Sequence, residues 1–513
     1  MNQRSRSSNV VRNLIGGVGG QIFTSVLQFA CRTVFISLLD STYLGVNGLF
    51  SNILSMLSLA ELGIGPAIVF SMYKPIAEND EVHVAKLMNF YKFAYRLVAV
   101  FVLVIGLSLT PFLDFFIKDA VEIENIRLIF ILILLNTVVS YLYTYKGSML
   151  TADQNAYVGV IIRNIFAVIQ NIVQIIVLLY TGNFLFYLIV QIVTTFLGNY
   201  SLSKYVDHKY PFLLKYKNEK IDKEERSSIM QKVQGMMMHK IGGFVLNSTD
   251  NLVISKFVSV IAVGIYSNYL MIINMVKTYL SHIVGSVTAS VGNLIARESK
   301  DKVHDIFEAM QLVYFWLYAF CLVCFYVIFQ PFIVLWIGED YLISKAVLLL
   351  ILINFYLNGF QECVNTYTNA SGLFWETRHK PVFECVINLC VSIYLANKIG
   401  LMGVFLGTLA SYVCTFWVNP IVLYRKFFNR KPYGYFAHFI GYLLLAVAVA
   451  LGMDYILTQI LNVSVLADVV IRMVCCIVVP NAVFIAVFYH TDSFRYCKQL
   501  GVAVAKRFLK RIK

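Results

Sequence analysis

About fourteen apolar stretches, each long enough to cross a bilayer as a helix, follow one another along this chain. One basic, polar segment, 204–232, falls after the sixth of them. A spanning helix needs roughly 20 apolar residues, and it must satisfy its own backbone hydrogen bonds because the hydrocarbon core holds no water. The expected spans lie near 13–39, 44–72, 88–112, 123–146, 156–180, 183–205, 235–257, 262–295, 307–330, 341–369, 381–397, 401–424, 434–458 and 463–489. They take up most of the 513 residues, of which 59% are hydrophobic. The mean hydropathy of +0.72 is too high for a water-soluble fold of this size. No connection exceeds about 30 residues, which leaves no room for a soluble catalytic domain.

The reading is an all-α, polytopic transmembrane protein and not an enzyme. Six spans before the linker and an even number after it imply parallel repeats related by a pseudo-two-fold axis along the membrane normal. The expected organisation is a six-helix bundle in 1–205, a basic cytoplasmic linker in 206–232 and a second six-helix bundle in 233–425. Two additional helices in 426–489 and a basic cytoplasmic tail in 490–513 follow. A faint internal echo accompanies this division. Gly19–Gly20, Ile36–Ser37 and Leu44–Gly45 match Gly242–Gly243, Ile254–Ser255 and Val263–Gly264 at an offset that drifts from 223 to 218–219, so the match needs small gaps.

The formal charge of +14 raises nucleic acid as a partner, and its distribution argues against one. Lysines and arginines gather in alternate loops: Arg4, Arg6 and Arg12; Lys74, Lys86 and Lys92; the linker; Arg425, Lys426, Arg430 and Lys431; and the C-terminal tail. The intervening loops are nearly bare. This bias places both termini in the cytoplasm and makes the excess charge topological. The first apolar stretch lacks a small-residue cleavage site and reads as a retained span. Cys321 and Cys324 form a CxxC inside an apolar helix with no flanking ligands, so they read as small buried hydrophobes. No GxxxxGK[ST] or HExxH motif occurs.

Chemistry is concentrated on single helix faces. Span 1 carries Gln21, Ser25, Gln28 and Arg32; span 2 carries Asn47, Ser51, Ser55 and Ser58, with Glu61 a turn later. Span 5 has Arg163, Gln170 and Gln174, span 7 has Asn247, Asp250 and Asn251, and span 8 has Ser267, Asn274, Lys277, Ser281 and Thr288. Span 10 has Asn354, Asn358, Gln361, Asn365 and Thr368. Each set repeats at helical period. Two readings stand. The amides and hydroxyls bond helix to helix, or they line a watered central cavity shared by the bundles. Charges favour the second, because an ionised side chain at mid-bilayer costs at least about 2.5 kcal/mol. The cavity candidates are Arg32, Gln28, Lys277, Asn274, Arg163, Gln361 and Asn365. Arg32 has a second reading, snorkelling to the surface, or it pairs with Asp250. Glu61, Asp250 and Glu362 are the intramembrane carboxylates for coupling to H⁺ or Na⁺. Arg472 in span 14 reads as a snorkelling or headgroup residue, and His282 as packing. Gly63, Gly65 and Pro66 interrupt span 2, with Gly285 and Gly292 in the corresponding stretch of span 8. These are hinges or close-packing contacts.

The stretch LDSTYLGVNGLFSNILSMLSLAELGIGPAIV (39–69), with Arg32 before it, resembles the first two spans of Wzx-type polysaccharide flippases. These belong to the multidrug/oligosaccharidyl-lipid/polysaccharide exporter superfamily. LWIGEDY (335–341) is similar to the loop after span 9 in that family, and HKIGGFVLNSTDNLVISKF (239–257) is similar to its span 7–8 stretch. The resemblance implies two bundles working by rocker-switch alternating access. It also implies a polyprenyl-diphosphate-linked glycan as substrate, turned from the cytoplasmic to the outer leaflet of a bacterial cytoplasmic membrane. Arginine and lysine would meet diphosphate or acidic sugars, and amides would meet sugar hydroxyls. No cofactor is implied beyond a possible coupling ion, and the partners are membrane lipid and polysaccharide-assembly proteins. Spans 13 and 14 would hold the lipid tail, as in the superfamily's lipid II flippases. Drug exporters of the superfamily have a proline-bent, acidic first helix, which this chain lacks. The additional cavity arginines of lipid II flippases have no clear match here. A membrane-embedded polymerase would need a large external loop, and none is present.

Overall fold

The computed structural model describes residues 6–39, 41–61, 64–117, 123, 125–231, 233 and 249–499, and it contains no strand among them. Its longer helices are α1 (Arg6–Leu38), α2 (Ser41–Leu57), α3 (Ile64–Ala77), α4 (Glu81–Leu109), α5 (Ile126–Thr144), α6 (Ala156–Thr181), α7 (Phe184–Lys209), α8 (Val260–Arg297), α9 (Lys300–Ile337), α10 (Lys345–Ala370), α11 (Lys380–Ile399), α12 (Leu401–Thr415), α13 (Tyr433–Ile460) and α14 (Val465–Phe488). Among the described residues, eleven helical segments are long and apolar enough to cross a membrane. They coincide with expected spans 3–6 and 8–14, so the chain is a multi-pass helical membrane protein. Within span 1, Phe23–Leu38 forms a shorter apolar helix. Span 7 lies largely outside the described residues.

Span 2 is broken. Helix α2 ends at Leu57, tightens into a 3₁₀ turn over Ser58–Glu61, and α3 begins at Ile64. Pro66 falls in the first turn of α3, where a missing N–H leaves no hydrogen bond unmade. Gly63 lies outside the described residues. Gly65 has no room for a side chain: a Cβ would sit 2.8 Å from the Tyr91 hydroxyl. The matching interruption expected in span 8 does not form. Helix α8 runs unbroken through Gly285 and Gly292. A helical glycine costs only about 1 kcal/mol, which a long helix absorbs.

The chain packs as two units, Met1–Ser267 and Asn268–Lys513. In the first, α1 packs on α6, α6 on α7, α7 on α5 and α5 on α4. Sequence dictates the facing of α6. Ile161, Ile165, Ile169, Ile172 and Ile176 make one exposed apolar stripe. Gln170 and Gln174 turn inward, accepting from Thr194 (3.1 Å) and donating to the Tyr187 carbonyl (3.2 Å). Polar groups inside and hydrocarbon outside is the order a bilayer imposes. Helix α2 crosses the start of α8 on two glycines. A Cβ on Gly45 would fall on the Val260 carbonyl oxygen, and one on Gly264 would fall on that of Ser41.

In the second unit α9 is the hub, with α10, α13 and α14 all packed against it. Helices α11 and α12 form a hairpin turned at Gly400 (φ 61°). The GxxxG pair Gly403 and Gly407 brings their backbones together, and the Ser392 hydroxyl donates to the Val404 carbonyl at 3.1 Å.

Arg472 does not snorkel to lipid, contrary to expectation. Its guanidinium is buried, donating to Asp468 (2.8 Å), Asp454 (3.1 Å) and Thr458 (3.1 Å), while Lys345 holds the second Asp454 oxygen at 2.5 Å. Its acidic partners sit on its own helix and on α13, and the second of these is supplied only by packing. Arg472→Met is therefore expected to destabilise the protein by about 3 kcal/mol or more, because it strands a carboxylate. Thermal unfolding in detergent reads this out; an unchanged midpoint would assign the network no energetic role.

Candidate functional site

Each unit carries its own set of polar and charged side chains within the spans. In the first, the half-buried Arg32 of α1 donates to the Ser267 hydroxyl of α8, and Ser267 in turn donates to the Gly264 carbonyl at 2.7 Å. Two stripes marked in the sequence thus meet at one guanidinium. Gln28, a turn earlier, is exposed, as is Arg163 on α6. Asp250 is half-buried within electrostatic range of Tyr266.

Glu61 closes the 3₁₀ turn that breaks span 2, and it accepts a short hydrogen bond from the Tyr95 hydroxyl. Tyr95 in turn accepts from Tyr91 (3.3 Å), which accepts from Ser148 (3.3 Å). Tyr141 donates to Ser58 at 2.7 Å. These three tyrosines are buried. The carboxylate is thus one end of a file of hydroxyls crossing α4 to the short helix Gly147–Ala152. The polar stripes of the sequence do not include these tyrosines. Their signal is the i, i+4 spacing of Tyr91 with Tyr95 and of Tyr141 with Tyr145, which puts paired phenols on one helix face.

In the second unit the polar face of α10 divides. Asn354 donates to the Phe405 carbonyl (3.0 Å) and Asn358 to the Tyr412 hydroxyl (3.1 Å), which makes both of them links between helices. Asn365 accepts from Asn419 at 2.6 Å. Gln361 is different. Its amide oxygen accepts from the Lys380 ammonium at 2.8 Å, and both residues are buried. Lys380 begins a stripe along α11, in which Lys380, Glu384, Asn388, Ser392 and Ala396 are all buried. Asn388 donates to Thr408 of α12 at 3.0 Å. Glu384 and Glu362 both feel Lys380, and Glu362 also feels Lys277. Lys277 is half-buried on α8; Asn274 and Glu362 are exposed.

Lys380 and Glu384 escape sequence reasoning because they sit where the expected span begins, and a lysine there reads as a topology marker. The i, i+4, i+8, i+12 polar spacing is the available signal. Two ammonium groups and two carboxylates thus come together among α8, α10 and α11. Lysine is a mobile point charge suited to phosphate, and a carboxylate within a span is a type of group that can carry a proton or an ion.

No protein-family model and no curated protein sequence matches the chain. Solved structures do. The lipid II flippase MurJ, in an inward closed conformation, aligns over 93% of this chain and 99% of its own, with TM-score 0.67 at 14% identity. An inward-facing multidrug resistance MATE family transporter of the MOP superfamily aligns over 77% of this chain and 93% of its own, with TM-score 0.58 at 15% identity. The Vibrio cholerae MATE transporter VcmN, in its bent form, aligns over 82% of this chain and 98% of its own, with TM-score 0.53 at 13% identity. The fold is therefore the polytopic helical fold of these transporters. Within it, the MurJ likeness spans nearly the whole chain.

Proposed function

We propose that this protein flips an undecaprenyl-diphosphate-linked oligosaccharide repeat unit from the cytoplasmic to the outer leaflet, by alternating access, for surface polysaccharide synthesis. The observation that carries the reading is the buried Lys380–Gln361 contact, with Glu384, Glu362 and Lys277 around it. The ammonium groups can exchange their carboxylate partners for a diphosphate, and the amides beside them can meet sugar hydroxyls. Arg32 supplies a further cation in the first unit. The packing of α13 and α14 on α9 supports a role for them beside the lipid tail. Glu61 is the coupling carboxylate, and its file of hydroxyls favours H⁺ over Na⁺, since phenols pass protons and are poor sodium ligands.

The test is deletion of the gene, followed by analysis of surface glycan and of lipid-linked intermediates in each leaflet. Loss of surface polymer, with repeat units trapped on the cytoplasmic side, is expected. Trapped lipid II would make the protein a peptidoglycan-precursor flippase. Normal glycan with raised sensitivity to toxic cations would make it a drug exporter. In the complemented strain, Arg32→Ala and Lys277→Ala are expected to cut surface polymer at normal protein levels; wild-type polymer in both would sink the role of these cations.

A further inference from the structure

A second cationic cluster lies in the first unit, apart from Arg32 and Glu61. Lys146, just past the end of α5, binds both carboxylate oxygens of Asp207 on α7, at 2.5 and 2.6 Å. Both side chains are largely buried, at 13% and 14% exposure, so this pair is fixed. Lys92 and Arg96 lie one turn apart on α4, and Lys217 lies on the segment after α7 that is held to α4 by Asn89, which donates to the Tyr216 and Glu219 carbonyls at 2.9 Å each. Lys92 interacts electrostatically with Arg96, Lys146 and Lys217, and with a single acid, Asp207. Asp153, the other acid on the 147–153 segment, is already held by Lys209 (3.5 Å) and the Tyr210 hydroxyl. Among the described residues, Lys92, Arg96 and Lys217 take part in no ion pair. Three positive charges are therefore gathered around an ion pair, and the acid that acts on Lys92, Asp207, is already bonded to Lys146. Like charges at this range repel, and the arrangement is relieved by an anion.

The surroundings select the kind of anion. Phe93, Leu97 and Val100 flank Arg96 on α4, and all three are exposed by more than half of their area. Leu128, Leu135 and Leu142 form a seven-residue-spaced exposed stripe on α5 that ends one turn before Lys146. These side chains face hydrocarbon in a membrane-spanning unit. The cations thus stand at the end of an apolar, lipid-facing surface, next to a polar segment that starts at Tyr210. That is the geometry of an acyl chain with a phosphate at its head.

From this we infer that Lys92, Arg96 and Lys217, organised by the Lys146–Asp207 pair, bind the phosphate headgroup of an anionic glycerophospholipid, with its chains against Phe93, Leu97 and Val100. Arginine and lysine at a membrane interface each strengthen anionic-lipid binding, and their effects accumulate. This site is independent of the proposed cargo and would hold membrane lipid at rest.

The test uses the full-length protein in detergent micelles, titrated with dioleoyl-phosphatidylglycerol or dioleoyl-phosphatidylcholine and read by native mass spectrometry. Wild-type protein is expected to prefer phosphatidylglycerol by about tenfold or more, from roughly 1 kcal/mol per cation. Lys92→Gln/Arg96→Gln/Lys217→Gln is expected to bind both lipids within about twofold of each other, on the same arithmetic. Circular dichroism checks that this variant is folded. Arg96→Gln alone, at an exposed position, is the fallback and should lose part of the preference. Equal binding of both lipids by the wild type would overturn the site, as would a preference that survives the folded variant. Sodium pyrophosphate added to the lipid-loaded protein separates the sources. Displacement of phosphatidylglycerol at micromolar pyrophosphate would make this a site for a soluble anion and overturn the lipid assignment.

Discussion

Gly264→Leu is expected to abolish function and to lower stability together. At the crossing of α2 and the start of α8, any side chain on Gly264 lands on the Ser41 carbonyl oxygen, and any on Gly45 lands on that of Val260. The obstacles are backbone atoms, so no rotamer change gives way. Val46 and Leu49, which follow Gly45 on α2, are fully buried, so a shift of α2 away from the crossing would disturb packed side chains. Overpacking of this kind costs about 1–3 kcal/mol where side chains can adjust, and more where the backbone must move. The expected results are a lower unfolding midpoint in detergent and loss of surface polymer in cells. Gly48→Leu is the control: the nearest atom to a Cβ there is a valine methyl at 3.4 Å, so a milder effect is expected. Equal effects at the two positions would show that the Gly45–Gly264 approach is not what the glycines provide. The contact is reciprocal, each glycine meeting the residue four before the other, and these are the two glycines that echo each other in the sequence.

Lys380→Met is expected to be the most damaging single change in the second unit. It leaves the buried Glu384 without its cation and the buried Gln361 amide oxygen without its donor. Removing one partner of a buried charge set costs about 3–5 kcal/mol, because the remaining charge is stranded. Lys380→Met/Glu384→Gln is expected to recover much of that stability, since a neutral amide replaces the stranded carboxylate. Surface polymer should stay low in the double variant, because the ammonium is still missing. Comparison of unfolding midpoints with polymer yield separates the two roles. Full recovery of polymer in the double variant would make Lys380 a structural counter-ion with no part in transport.

The helices are legible in the sequence because bilayer thickness sets their length. Spans 9 and 14, expected over 307–330 and 463–489, sit inside or close to helices Lys300–Ile337 and Val465–Phe488. Helix α9 extends well past the expected start because its first turns are polar and leave no hydropathy signal. The interruption of span 2 is legible because proline and clustered glycines cannot all be absorbed by one helix. The same reasoning fails for α8, where isolated glycines are absorbed. Single-helix periodicity finds the stripes holding Arg32, Ser267 and Gln361, but it cannot find their partners. Ser267 is 235 residues from Arg32, and Lys380 reaches Gln361 across a turn between helices. Arg472 is misread for the same reason. In an apolar sequence it looks like a headgroup ligand, and Asp454 reaches it only because α13 and α14 are both packed on α9.

The Arg472 network also bears on how the chain enters the membrane. Helix α14 carries Arg472 two turns from its start, and α13 carries Asp454 within its last two turns. Released singly into lipid, α13 would expose the Asp454 carboxylate at a cost on the order of 2–3 kcal/mol, while on α14 Arg472 would keep only Asp468 of its own helix. Released as a hairpin, they neutralise each other, and Lys345, made more than a hundred residues earlier, already waits on α10 to complete the set. The last two helices are thus built to leave the insertion machinery as one piece, and the residues that hold them in the finished protein are those that make their separate insertion unfavourable.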